Sequence, residues 1–179
     1  MWLIFLLNAW AADCSVEPLD GTVYAFSEGV NLRMGPTVSS EVVSQLSFGT
    51  PVIVRGVGEE SMLEGHQDRW YRVSVPRAGD ISLSGYMFGS TLAQEVFVAD
   101  LDGDGLEERI LAMPAADAGV MVRVQDQQGA IVSWAGGEGD RACSIALTLD
   151  EESESMLRVS QGDWRGEFVY TGTTLNPTP

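Results

Sequence analysis

Val30-Asn31-Leu32-Arg33-Met34-Gly35-Pro36 decides the reading of the first half of this chain. It alternates apolar and polar side chains, then stops at a glycine that tolerates positive φ and a proline that fixes its own. Ser39-Ser40-Glu41-Val42-Val43 follows, then Leu46, then Phe48-Gly49-Thr50-Pro51-Val52 with a second glycine turn. Trp70-Tyr71-Arg72-Val73 and Ser84-Gly85-Tyr86-Met87 complete the set. Tyr71, Val73 and Val75 share one face and should fill a small barrel, so Trp70, Arg72 and Ser74 point the other way.

Short apolar runs between Gly, Pro, Ser and Asp punctuation continue to the far end, and no helical period of ten or more residues interrupts them. Strands are expected at 22–26, 30–33, 41–46, 52–55, 69–75 and 84–88. Further strands are expected at 96–99, 108–113, 120–125, 131–134, 143–149, 156–160 and 164–170. Such spacing marks an all-β fold of barrels or sandwiches. Val120, Val122 and Val124 face one way, and Met121, Arg123 and Gln125 the other. Gln161-Gly162-Asp163 reads as a hairpin turn. The segment 56–68 reads as a long acidic insertion between strands, and the tail 172–179, with two prolines, as frayed. The boundary between two units falls near Leu92–Glu95, giving 22–93 and 95–171.

In their order and spacing the motifs of residues 22–93 resemble the bacterial SH3-type domain. That family begins with a hydrophobic-Asn-hydrophobic-Arg-x-Gly-Pro stretch. It continues through a Leu-x-x-Gly turn and a Trp-x-x-Val strand to a Gly-aromatic-hydrophobic end. The resemblance implies a small SH3-like barrel that binds cell-wall peptide or glycan, or another exported protein, often beside a wall hydrolase. An outward Trp70 beside Tyr24, Tyr86 and Phe88 would form an aromatic binding groove, since such faces stack on peptides and sugars. The competing reading is that these rings only plug the ends of the barrel. The second half is expected to be a small β-meander or sandwich.

Asp100-Leu101-Asp102-Gly103-Asp104-Gly105-Leu106-Glu107-Glu108 carries the sharpest chemistry. Carboxylates at positions 1, 3 and 5 can turn onto one cation, Gly105 allows the bend, and Leu106 offers a backbone carbonyl. An EF-hand needs a glutamate at position 12, where this chain has Leu111, so Glu108 at position 9 closes the set instead. The arrangement resembles the calcium loops of FG-GAP repeats over residues 96–115. All-oxygen ligands Asp100, Asp102, Asp104, Leu106 and Glu108 suit calcium rather than zinc. An acidic hairpin turn without metal is the alternative.

Charge narrows the function classes. Twenty-six acidic residues face ten basic ones, all arginine, for a net charge of −16. That opposes binding to nucleic acid phosphates. The first residues, Met1 to Ala12, carry an apolar run from Trp2 to Leu7 and a small-x-small Ala9-Trp10-Ala11 pattern. This resembles the end of an export signal that lacks its basic start. Asp13 before Cys14 breaks a lipoprotein motif. No later run reaches the ~20 apolar residues of a membrane span. The protein is therefore expected to be periplasmic or extracellular. There Cys14 and Cys143 either form a disulfide or leave Cys143 as a buried thiol.

No catalytic set is legible. The single histidine, His66, lies upstream of Cys143, and Ala142 stands where a Cys–His wall peptidase would place aspartate. Lysine is absent, which removes a phosphate-loop lysine. The expectation is a non-catalytic binding or scaffold protein with a structural calcium site. The alternative is a calcium-responsive sensor, or an inhibitor or accessory subunit of a wall hydrolase.

Overall fold

A computed structural model describes residues 20–63, 66–79, 81–93, 95–114, 119–136, 145–149, 156–161 and 164–178. The export segment and both cysteines lie outside them. The chain is all-β, as expected. The first unit contains β1 (Thr22–Ala25), β2 (Val30–Arg33), β3 (Val42–Leu46), β4 (Pro51–Leu63), β5 (His66–Pro76), β6 (Ser82–Phe88) and β7 (Leu92–Ala93). They form one sheet in the order β3-β2-β6-β5-β4-β1-β7. Its core is Val23, Ala25, Val30, Leu32, Leu46, Val52, Tyr71, Val73, Val75, Met87 and Leu92. Tyr71, Val73 and Val75 do point inward, because alternation puts them on one face of a twisted sheet that curls around them.

The acidic insertion corrects the sequence expectation. Residues 56–63 and 66–68 extend β4 and β5 into a long antiparallel ribbon, with Glu60 opposite Arg69 and Met62 opposite Gln67. An ion pair of 2.9 Å joins Arg69 Nη2 to Glu60 Oε1. Cross-strand pairs of this kind support a ribbon with little apolar alternation. Two bulges in β4, at Val54/Gly56 and Val57/Glu60, bend it.

Two further sheets follow. The middle sheet holds β8 (Glu95–Ala99), β9 (Glu108–Pro114), β10 (Val120–Gln125) and β11 (Ile131–Gly136). The last holds β12 (Ile145–Leu149), β13 (Met156–Gln161), β14 (Trp164–Tyr170) and β15 (Leu175–Pro177). Both are antiparallel, in the orders β11-β10-β9-β8 and β12-β13-β14-β15. The tail was expected to fray, but Leu175 pairs with Tyr170 and is buried in the core. A short strand ending in proline gives little periodic signal, and proline is tolerated there because β15 is an edge.

Parity explains how the middle sheet serves two neighbours. Ile110, Ala112, Val120, Val122 and Val124 pack against Leu157, Val159, Phe168, Tyr170 and Leu175 of the last sheet. Trp134 meets Phe168 edge-on, with ring centroids 4.5 Å apart. The opposite face presents Leu111, Met113, Met121 and Ile131 to Phe26, Phe48, Tyr24 and Ala93 of the first unit. Arginines frame this second contact. The Arg123 guanidinium lies 4.5 Å over the Phe26 ring and donates to the Phe26 carbonyl and Ser27 Oγ. Burial pulls the pKa of Arg123 below the ordinary guanidinium range. Gln125 Nε2 donates to Glu28 Oε1 at 3.2 Å.

Gly49 ties the two units together. Its φ is +69°, and a Cβ built there would lie 2.4 Å from Cδ of Arg109. Gly49→Ala therefore combines a left-handed backbone, worth about 1–2 kcal/mol, with a collision against the β9 arginine. We expect at least that loss in urea unfolding of the full chain. An unchanged midpoint would show that residue 49 neither needs a left-handed backbone nor lies under Arg109.

Candidate functional site

The residues singled out in the sequence fall in two places: the outer face of the first unit and the aspartate loop between β8 and β9.

On the outer face, antiparallel register sets Trp70 opposite Phe88, Arg72 opposite Tyr86 and Ser74 opposite Ser84. Directly opposed residues project from the same side, so the parity expected of Trp70 holds. Its openness does not. Trp70 is 7% exposed and Phe88 3%. The two rings meet edge-on at 5.4 Å and 60°. Gly58 of the bent β4 comes close as well, since a Cβ there would lie 2.8 Å from the Trp70 carbonyl oxygen. The expected four-ring groove of Trp70, Tyr24, Tyr86 and Phe88 is thus corrected. Trp70 and Phe88 bury one another, and half-buried Tyr24 packs in the contact between the two units. Tyr86 alone of the four is half-exposed on the open part of the face, where it lies opposite both Arg33 and Arg72. Sequence parity assigns a face to a ring but not the neighbour that covers it. The signal that was missed is the cross-strand pairing of two large rings.

The second place is built around Leu101. Its side chain is fully buried in the core between the middle and last sheets and pins the loop down. The backbone then winds around the carboxylates. Asp100 Oδ1 accepts from the Gly103 amide at 2.8 Å and Oδ2 from the Gly105 amide at 2.9 Å. Asp104 Oδ1 accepts from Leu106 at 2.8 Å. Gly105 has φ +86°, the bend the sequence required of it. Glu108, at the start of β9, is 2% exposed, and its Oε2 accepts from the Leu101 amide at 2.7 Å. Carboxylate oxygens of Asp100, Asp102 and Glu108 lie within 4.8 Å of one another. Asp104 is outside that group and is exposed, as is Leu106. Burial, and then the charges of Asp102, Asp104 and Asp100, push the Glu108 carboxyl above the usual range against one backbone hydrogen bond. Tyr170, whose hydroxyl donates to the Gly172 carbonyl at 2.8 Å, lines the same acidic surroundings. Burial and the charges of Asp126, Glu108, Asp102 and Asp104 raise its pKa. The Gly172 turn closes against Asp102, whose Oδ2 would lie 2.9 Å from a Cβ at that position. This donor set consists of hard oxygens, is partly desolvated and has no described cationic side chain paired into it. It fits calcium, which prefers carboxylate and carbonyl oxygens.

Comparison with known proteins bears on the first place. Residues 28–93 match the bacterial SH3 domain family. The SH3 match thus runs from the turn before β2 through β7 and ends before the aspartate loop. No curated protein and no solved structure matches the chain. The family points to a binding module. Among the described residues, no helix is long and apolar enough to cross a membrane.

Proposed function

We propose that the chain is an exported, non-catalytic binding protein. Its SH3 unit takes a cell-wall peptide or glycan, or a segment of another exported protein. The aspartate loop holds a structural calcium ion through Asp100, Asp102, Glu108 and the Leu106 carbonyl, with Asp104 supporting the charge. When bound, the ion would neutralise carboxylates that otherwise repel one another beside the core. The SH3 match over residues 28–93 carries the binding reading. Supporting it, the Tyr86 part of the outer face stays open, while the side bearing Phe26 and Phe48 is taken up by the middle sheet. A peptidoglycan sacculus pull-down of the purified chain tests the reading, with calcium at about 1 mM, where extracellular calcium modules operate, and with chelator. Retention on sacculi is expected. Absence from the pellet in both buffers would remove the wall as ligand.

A second reading rests on one adjacency. Glu108 faces the loop, and the next residue, Arg109, covers Gly49 and reaches the Phe48 carbonyl at 3.5 Å. A cation that moves Glu108 would thereby bear on the contact between the units, as a calcium-responsive sensor or accessory subunit requires. Retention that changes with calcium would favour this reading. Equal retention in both buffers would favour a static scaffold.

A further inference from the structure

The open part of the SH3 outer face has an unusual composition for so acidic a chain. One row crosses four strands: Val42 on β3, Arg33 on β2, Tyr86 on β6 and Arg72 on β5. Gly56 faces Arg72 on β4 and adds no side chain. In the neighbouring row, Arg55 Nε donates to Ser74 Oγ at 3.1 Å, which brings a third guanidinium to the same surface. Arg55 and Arg72 are exposed, and Arg33 and Tyr86 half-exposed. Val42 is 40% exposed and forms an apolar lip.

Acidic residues outnumber basic ones 26 to 10 in this protein. Arg69 pairs with Glu60, and Arg158 with Glu167. Among the described residues, Arg33, Arg55 and Arg72 form no ion pair. Arg33 instead donates through Nη1 to the Ser40 carbonyl at 2.9 Å, which anchors one edge of the guanidinium without an opposite charge. Arg33 and Arg72 flank Tyr86, and Arg55 lies beyond Arg72 on β4, so three guanidinium groups without an ion pair share one face of a negative molecule. Guanidinium groups bind carboxylates through two parallel hydrogen bonds, a geometry that lysine does not offer.

We propose that this face binds an acidic peptide. The proposal rests on the SH3 unit being a binding module, and it names the class of ligand. Arg33 and Arg72 stand two strand spacings apart, about 10 Å, which suits carboxylates on two residues of one extended segment. Tyr86 lies between them and offers its ring to the intervening backbone or an apolar side chain. Val42 extends the apolar contact at one end. The net charge of −16 does not forbid this. At physiological salt the screening length is about 8 Å, so groups in contact outweigh the distant surface. A long polyanion would run beyond the patch onto acidic surface and be repelled there.

The test uses the full chain and a fluorescently labelled glutamate hexapeptide, with a lysine hexapeptide as control. Fluorescence anisotropy gives affinity, and amide shifts at Tyr86 and Gly85 locate the contact. Arg72→Glu and Arg55→Glu are the variants, because both side chains are exposed and their folding is checked by melting. We expect the glutamate peptide to bind and to shift Tyr86. Each variant should weaken it at least tenfold while melting with the native chain, and the lysine peptide should leave Tyr86 unmoved. No binding by the native chain, equal binding by Arg72→Glu, or shifts confined to other strands would overturn the proposal. Sacculus retention read alongside separates the two ideas. If sacculi hold the native chain and Arg72→Glu equally, the wall reading stands and the acidic class falls. If the glutamate peptide binds and sacculi do not, the acidic class stands and the wall reading falls.

Discussion

Trp70→Ala is expected to destabilise the chain by about 3–5 kcal/mol, the range for emptying a buried aromatic site. For a chain of this length, each kcal/mol corresponds to about 2–4 °C of melting temperature. The variant should therefore melt roughly 6–20 °C below the native protein. The cost has two parts. Removing the indole leaves a void at a site where the residue is 7% exposed. It also strips Phe88 of its edge-on partner. A ligand-surface tryptophan would behave differently, losing sacculus retention with melting almost unchanged. Tyr86→Ala supplies the contrast, because Tyr86 is half-exposed. It should cost about 1 kcal/mol, as typical substitutions do, and reduce retention. If Trp70→Ala melts like the native chain and Tyr86→Ala leaves retention intact, these two assignments must be exchanged.

The contrast between these residues marks what the sequence can tell. Alternation along 70–75 placed Tyr71, Val73 and Val75 inside and Trp70 outside, and the sheet obeys it. Alternation says nothing about what lies above a face, so it left the groove and the plug both open, and burial decides for the plug at Trp70 and Phe88. The same blindness applied to the middle sheet. Alternation set Val120, Val122 and Val124 apart from Met121, Arg123 and Gln125 without saying that both faces are covered. Yet β9 held the clue in Leu111 and Met113, which lie opposite Arg123 and Met121. A strand apolar on both faces is covered on both, and long side chains such as arginine can cross an interface with their stems buried. The ribbon formed by the outer parts of β4 and β5 was hidden for another reason. Its pairing depends on Glu60 with Arg69 and on polar partners, not on an apolar period. The aspartate loop was legible because its requirements are local: carboxylates at alternate positions, a glycine that can take positive φ, and an apolar Leu101 that anchors to the core. Its membership was less so. Asp104 looked equivalent to Asp100 and Asp102 in sequence but falls outside their close group.

Calcium is expected to raise the melting temperature of the apo-protein by several degrees, and Asp102→Ala is expected to remove most of that gain. A ligand that binds only the folded state stabilises it by RT ln(1 + [L]/Kd), about 2.7 kcal/mol at a hundredfold excess over Kd. The magnitude follows from what the ion relieves. Asp100, Asp102 and Glu108 hold oxygens within 4.8 Å of one another, and Glu108 is nearly fully buried. Without a cation, the folded state must keep that charge beside the core, whereas the unfolded chain disperses it in water. Protons compete for the same role, and the sign follows from the raised pKa of Glu108. The folded state binds this proton more tightly than the unfolded one, so calcium-free protein loses stability as pH rises from the ordinary glutamate pKa through the raised one. Calcium stabilisation should therefore be largest above that window and shrink as pH falls through it. Glu108→Gln keeps the shape and the hydrogen bond from Leu101 while removing the charge. It should melt higher than native protein in chelator and respond weakly to calcium. Calorimetry with millimolar calcium at neutral pH decides the matter. No heat, no change in melting, and a Glu108→Gln variant no more stable than native protein in chelator would mean that the loop is a solvated acidic turn.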